Sequence, residues 1–177
     1  MFLLLVACDS RVIDVQIDKE SQMNVYDHTC NDIFGNSYDL SELQGKVTLI
    51  VNVASHCGYT GQYKDLQLLN DKYDGFQVIG FPCNDFGGQE PGDAGEIVDC
   101  ATSHNATFPL MNKIVITDDG NRDALYQSLS DATGELPSWN FGKYLVTQDG
   151  KPVAFFGSSV TPLSDELTAR LESLLNQ

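Results

Sequence analysis

Residues 46–53 read Lys-Val-Thr-Leu-Ile-Val-Asn-Val, a continuous apolar and β-branched run. A strand with one face in water alternates apolar and polar residues. This run does not, so it is expected to be covered on both faces, as a central strand of an α/β sheet is. The flanking sequence fits that layout. After Thr60, a residue able to cap a helix, Tyr63, Leu66, Leu69 and Tyr73 recur at helical spacing. Gly75 closes that helix, and 76–81 give a second strand ending at Pro82. A Gly-rich loop over 85–92 leads into a helix from about Asp93, and 112–116 read as a short strand before an Asp118-Asp119-Gly120 turn. Residues 124–129 read as a helix, 144–147 and 152–156 as a hairpin around Gln148-Asp149-Gly150, and 165–175 as a closing amphipathic helix. The pattern predicts an α/β fold: a central mixed β-sheet flanked by helices on both faces.

A chain of 177 residues suffices for one such domain and is short for two. We assign it to 22–177, with 1–21 as a separate leader and tether, although Val12, Ile13, Val15 and Ile17 allow a short strand there. The leader begins with an apolar run too short to span a bilayer and lacks the basic start of a full secretory signal. Its Leu5-Val6-Ala7-Cys8 nevertheless looks like a bacterial lipobox, in which Cys8 carries lipid and tethers the protein in the cell envelope, facing the periplasm. The other reading is an apolar N-terminus of a cytoplasmic protein. With 10 Lys+Arg against 25 Asp+Glu, the formal charge of −15 repels phosphate backbones, so nucleic acid is not an expected partner.

The cysteines are Cys8, Cys30, Cys57, Cys83 and Cys100, with no C-x-x-C pair, and none of His28, His56 and His104 stands four residues from another. No metal site and no cofactor are expected. Cys57 is the informative thiol. It follows the buried strand and precedes a helix, and reactive groups gather at the carboxyl ends of strands in open α/β sheets. Near a helix N-terminus the macrodipole and free N–H groups favour thiolate, and Gly58 leaves access open. The alternative is an inert buried cysteine.

Three segments carry a specific resemblance. Residues 52–60 (Asn-Val-Ala-Ser-His-Cys-Gly-Tyr-Thr), 80–92 (Gly-Phe-Pro-Cys-Asn-Asp-Phe-Gly-Gly-Gln-Glu-Pro-Gly) and 139–146 (Trp-Asn-Phe-Gly-Lys-Tyr-Leu-Val) resemble, in order and spacing, the motifs of the glutathione peroxidase family. The match runs from about Val25 to the C-terminus. It implies a thioredoxin-like fold and a catalytic set of Cys57, Gln89, Trp139 and Asn140. Cys57 would be the peroxidatic residue. Gln89, Asn140 and the Trp139 indole N–H would donate hydrogen bonds where negative charge passes from sulfur to the departing oxygen.

The resemblance also gives Cys100 a role, because it falls where the thioredoxin-using members carry a resolving cysteine. A Cys57 sulfenic acid would condense with it to a disulfide, which a thioredoxin-like protein reduces. The two sites are expected to lie apart in the reduced fold, so the segment around Cys100 must rearrange; Asp99–Thr107 holds few strong helix formers to resist this. Cys83 reads as structural, and Cys30 has no assigned role. Asp85 stands where the family usually has Gln, and Gly61 where it often has Pro. The stretch 130–138 lacks the insertion that tetrameric members carry, which points to a monomer with a site open to lipid hydroperoxides as well as hydrogen peroxide. Rival readings are a glutathione-dependent one-cysteine peroxidase, a peroxide sensor that oxidises a client protein, and a disulfide reductase or isomerase.

Overall fold

The computed structural model describes residues 12–14 and 23–176. Seven strands and four α-helices follow in chain order: β1 Val12–Asp14, β2 Thr29–Asn31, β3 Ser37–Asp39, β4 Val47–Val53, α1 Gln62–Lys72, β5 Phe76–Pro82, α2 Ala94–Ser103, α3 Ala124–Thr133, β6 Lys143–Val146, β7 Pro152–Phe156 and α4 Asp165–Leu175. Short 3₁₀ turns occupy Val25–Asp27 and Leu40–Leu43. Five strands form the main sheet in the order β1-β7-β6-β4-β5, while β2 and β3 make a separate hairpin. β4 pairs parallel to β5 and antiparallel to β6, so the sheet is mixed.

Every residue of β4 is buried, as its sequence demanded. Side chains alternate across a strand. Val47, Leu49, Val51 and Val53 therefore pack with Tyr63, Leu66 and Leu69 of α1 and Leu167 and Leu171 of α4. Ile50 joins Leu125, Tyr126 and Leu129 of α3 on the opposite face. Helices thus cover both faces and no strand of the pair at the centre meets water. The β6–β7 turn closes through Gly150, whose φ of +86° favours glycine. A Cβ there would also come within 1.8 Å of Asn24 Oδ1, because the N-terminal 3₁₀ turn docks on this hairpin through Val25 N–H to the Gly150 carbonyl at 2.9 Å.

Two local expectations are corrected. Thr60 does not cap α1: Gly61 holds the N-cap position and supplies no side-chain bond. The Thr60 hydroxyl is engaged earlier, donating to the Ala54 carbonyl at 2.8 Å and accepting from Cys57 N–H at 3.0 Å. Residues 112–116 do not form a strand; Ile114 makes an isolated bridge to Cys83, just past β5, and Leu110, just before the segment, makes another to Gly80 of β5. Pro82 offers Ile114 a carbonyl at 2.9 Å and has no N–H to extend the ladder. Asp85 then gathers the segment's end, its carboxylate accepting from Ile116 N–H at 2.7 Å and Thr117 N–H at 2.9 Å. The residue that departs from the family pattern thus has a structural task. The short strand allowed in the leader is present as β1, paired antiparallel with β7, whereas Cys8 lies outside the described residues.

Candidate active site

The end of β4 builds the site. Its last residues run into a turn, 54–61, that carries Cys57 half-buried before α1 begins. The Thr60 hydroxyl ties this turn to the strand end, and the Tyr59 N–H points at Cys57 Sγ from 3.4 Å. This contact helps fix the position of the sulfur in the turn. Here the donor belongs to the turn, several residues before the first turn of α1.

The loop after β5 closes over this turn. His56 N–H donates to the Gln89 carbonyl at 3.0 Å, which fixes Gln89 beside the reactive segment. Gln89 Oε1 in turn accepts from Asn140 Nδ2 at 3.0 Å, and the same amide reaches the Phe86 carbonyl at 3.4 Å. The loop can lie this close because Gly87 has φ +69°; a Cβ there would meet the Trp139 ring at 3.3 Å. Trp139 is half-buried and packs on Phe86 with ring centroids 6.2 Å apart. Hydrogen bonds thus join the Cys57 turn to Gln89 and Gln89 to Asn140, while the Trp139 ring lies against Gly87 of the same loop.

Two residues that sequence reasoning passed over hold the third segment. Asn52, fully buried in β4, donates through Nδ2 to the Trp139 carbonyl at 3.0 Å, and its own carbonyl accepts Phe141 N–H at 2.6 Å. Lys143, also fully buried, donates from Nζ to the carbonyls of Phe141 at 2.7 Å and Val160 at 2.8 Å. Between them Phe141 is held at φ +64°, a left-handed conformation costing on the order of 1 kcal/mol for a non-glycine residue. That kink turns Asn140 inward toward Gln89. Burial pulls the Lys143 ammonium down to about 7. The available signal was a lone amide and a lone lysine inside apolar strand sequence.

The remaining thiols separate clearly. All four described cysteines are free. Burial pushes Cys83 up to about 12 and Cys30 up to about 11, so both are inert near neutral pH. Cys100 sits half-buried on α2, its sulfur 3.8 Å from the Ser55 carbonyl. Standard backbone lengths then put that sulfur within about 11 Å of the Cys57 Cα. The two thiols are unbonded, yet much nearer than their separation in sequence suggested. Among the described residues no group of three or more His, Cys, Asp or Glu could hold a metal ion.

A half-buried cysteine in the turn after a buried strand, with a backbone donor at its sulfur and an amide pair on the adjoining loop, fits a thiol oxidoreductase on a thioredoxin-like fold. Comparison narrows this. Residues 25–130 match the model of the glutathione peroxidase family. The glutathione peroxidase-like peroxiredoxin 2 of Saccharomyces cerevisiae is 44% identical over 160 residues, covering 86% of this chain and 97% of that one. The hydroperoxy fatty acid reductase of Synechocystis sp. is 40% identical over 169 residues, covering 88% and 98%. The solved structure of T. cruzi GPX1 superposes with a TM-score of 0.69 at 32% identity, covering 87% of this chain and 97% of that one. The chain belongs to the glutathione peroxidase family, and it is a peroxidase.

Proposed function

We propose that the protein reduces hydrogen peroxide and organic or lipid hydroperoxides through a two-cysteine cycle, Cys57 being the nucleophile and Cys100 the resolver. The Cys57 thiolate attacks one peroxide oxygen; the S–O bond forms, the O–O bond breaks, and the alcohol or water leaves after taking a proton. Asn140, Gln89 and Trp139 stabilise the charge that moves onto the departing oxygen, fixed in place before the reaction and so without reorganisation. Cys100 then attacks the sulfenic acid, releasing water and closing a disulfide, which a thioredoxin-like dithiol protein reopens by exchange. The observation that carries this reading is the hydrogen-bonded chain from the Cys57 turn through Gln89 to Asn140. Half-burial of Cys100 against Ser55 supports its part.

The reading includes a monomeric enzyme, since 130–138 carries no added wall beside the site. It also includes, on the strength of Leu5-Val6-Ala7-Cys8, a lipid on Cys8 and a place in the bacterial envelope, where the reductant is an envelope dithiol protein. One equivalent of hydrogen peroxide tests the cycle. The expected outcome is loss of two thiols with a Cys57–Cys100 crosslink in the peptide map, and a lasting Cys57 sulfenic acid in Cys100→Ser. A wild-type sulfenic acid or glutathione adduct with Cys100 still free refutes the resolving role and leaves the one-cysteine, glutathione-using route. Oxidation that passes to a client protein without turnover marks a sensor.

A further inference from the structure

The side chain of Glu90 has no part in the site as described so far. It is fully buried, and no group meets either carboxylate oxygen at full hydrogen-bond geometry; Ser55, through side chain and backbone, is the one donor that bears on it. A buried carboxylate so poorly paired is costly, so its presence calls for a reason. Its backbone is fixed by Asn84 Oδ1, which accepts Glu90 N–H at 2.8 Å. Its side chain lines one cavity with Ser55, His56, Glu96 and Cys100. Ser55 spans the gap: the residue that bears on Glu90 is the one whose carbonyl lies 3.8 Å from the Cys100 sulfur. Tyr63 of α1 is buried with its hydroxyl unpartnered. That hydroxyl is pushed well above its ordinary value by burial first, then by Glu90 and Cys100 together, so both bear on one atom.

The groups facing Glu90 are therefore Ser55 and His56 from the Cys57 turn, Tyr63 from α1, Glu96 and Cys100 from α2, and Lys113 from the segment beyond, whose Nζ donates to the Gly92 carbonyl at 2.8 Å. Burial raises the Glu90 carboxyl, with Ser55, Lys113 and His56 opposing.

We propose that Glu90 is the base of the resolving step, its carboxylate taking the Cys100 thiol proton as the Cys100 sulfur attacks the Cys57 sulfenic acid. This deepens the function proposed above and rests on its two-cysteine cycle. The S–S bond forms and the Cys57 S–O bond breaks; the Cys100 sulfur is oxidised and the Cys57 sulfur reduced. The departing oxygen leaves as water with a proton drawn from solvent, and the Cys100 proton, passing from Glu90 to solvent through the cavity, replaces it. The thiolate is the attacking species in such exchanges, and a carboxylate that gains a proton escapes the penalty of a buried charge.

The test is a rapid-mixing experiment on the reduced protein with one equivalent of hydrogen peroxide, following peroxide loss and disulfide closure separately. Glu90→Gln is expected to consume peroxide at the wild-type rate and to close the disulfide about a hundredfold more slowly, the low end of what a positioned base supplies. Glu90→Asp should restore part of that loss. In the wild type, closure should slow as pH falls through the raised carboxylate range, because the base must be ionised, and His56→Gln should retain this acid limb. Closure in Glu90→Gln at the wild-type rate overturns the proposal, as does an equal slowing of both steps. So does a wild-type closure rate that changes only in the thiol range, a result that needs no variant to fold. A wild type that forms no Cys57–Cys100 disulfide at all instead removes the two-cysteine cycle, and that is visible before any variant is made.

Discussion

At the scale of single residues, the site depends on polar groups placed where apolar ones would pack better. Lys143 is the clearest. Its ammonium has an ordinary value of 10.5 and is pulled to about 7 by burial, so between these limits the unfolded chain binds a proton that the folded chain does not. Stability from this residue therefore rises with pH across that window, by up to about 1.4 kcal/mol per pH unit, and its burial penalty is fully present below about 7. Lys143→Met removes the penalty but strands the carbonyls of Phe141 and Val160, at about 1–3 kcal/mol each. The variant is expected to be destabilised and to lose peroxidase activity, since Phe141 no longer holds Asn140 against Gln89. Its deficit in melting temperature should widen from pH 7 to pH 9. A deficit that stays constant over that range would show that Lys143 stays charged in the fold.

At the scale of elements, α2 is the part that has to move. Only Ile97 and Ala101 of it are buried, so it is held by one large side chain's worth of packing, on the order of 2–3 kcal/mol. Its start is fixed by a capping box: Asp93 Oδ1 accepts Glu96 N–H at 3.0 Å and Glu96 Oε2 accepts Asp93 N–H at 2.9 Å. Asp93→Ala is expected to cost α2 about 1 kcal/mol. Amide exchange over 97–104 should then quicken and disulfide closure accelerate up to about fivefold, with peroxide consumption unchanged. Unchanged closure despite faster exchange would mean that closure does not wait on the helix. At this scale the sequence was largely legible. The buried run at 47–53, the spacing of Leu66 and Leu69, and the turn at Gln148–Gly150 each dictated an element locally. Residues 112–116 misled because β-branched sequence marks a strand only where a partner offers donors, and Pro82 does not. Thr60 misled because a hydroxyl able to cap a helix can equally tie a turn to a strand end.

At the scale of the whole molecule, the formal charge of −15 sets how the protein meets a membrane. An acidic body is repelled by anionic headgroups, so the proposed attachment through Cys8 would rest on acyl chains alone. Protein taken from its own cells is expected to stay with membranes in high salt, to be released by detergent, and to become soluble as Cys8→Ser. Release by salt alone, or a soluble native protein of unmodified Cys8 mass, would place it in the cytoplasm instead. Among the described residues no helix is long and apolar enough to cross a membrane.

The sequence by itself determined the sheet, the helices that cover it and the family, because each is written in contiguous residues whose spacing or order is the signal. Tertiary structure decided how close the Cys100 sulfur stands to the Cys57 turn, which buried groups hold Trp139 and Asn140, and what surrounds Glu90. Those facts depend on contacts between Asn52 and Trp139, Lys143 and Val160, Cys100 and Ser55, pairs far apart along the chain. Hydrogen bonds between such partners form only once burial has removed water as the competing partner, and no local pattern in the sequence records which partner that will be.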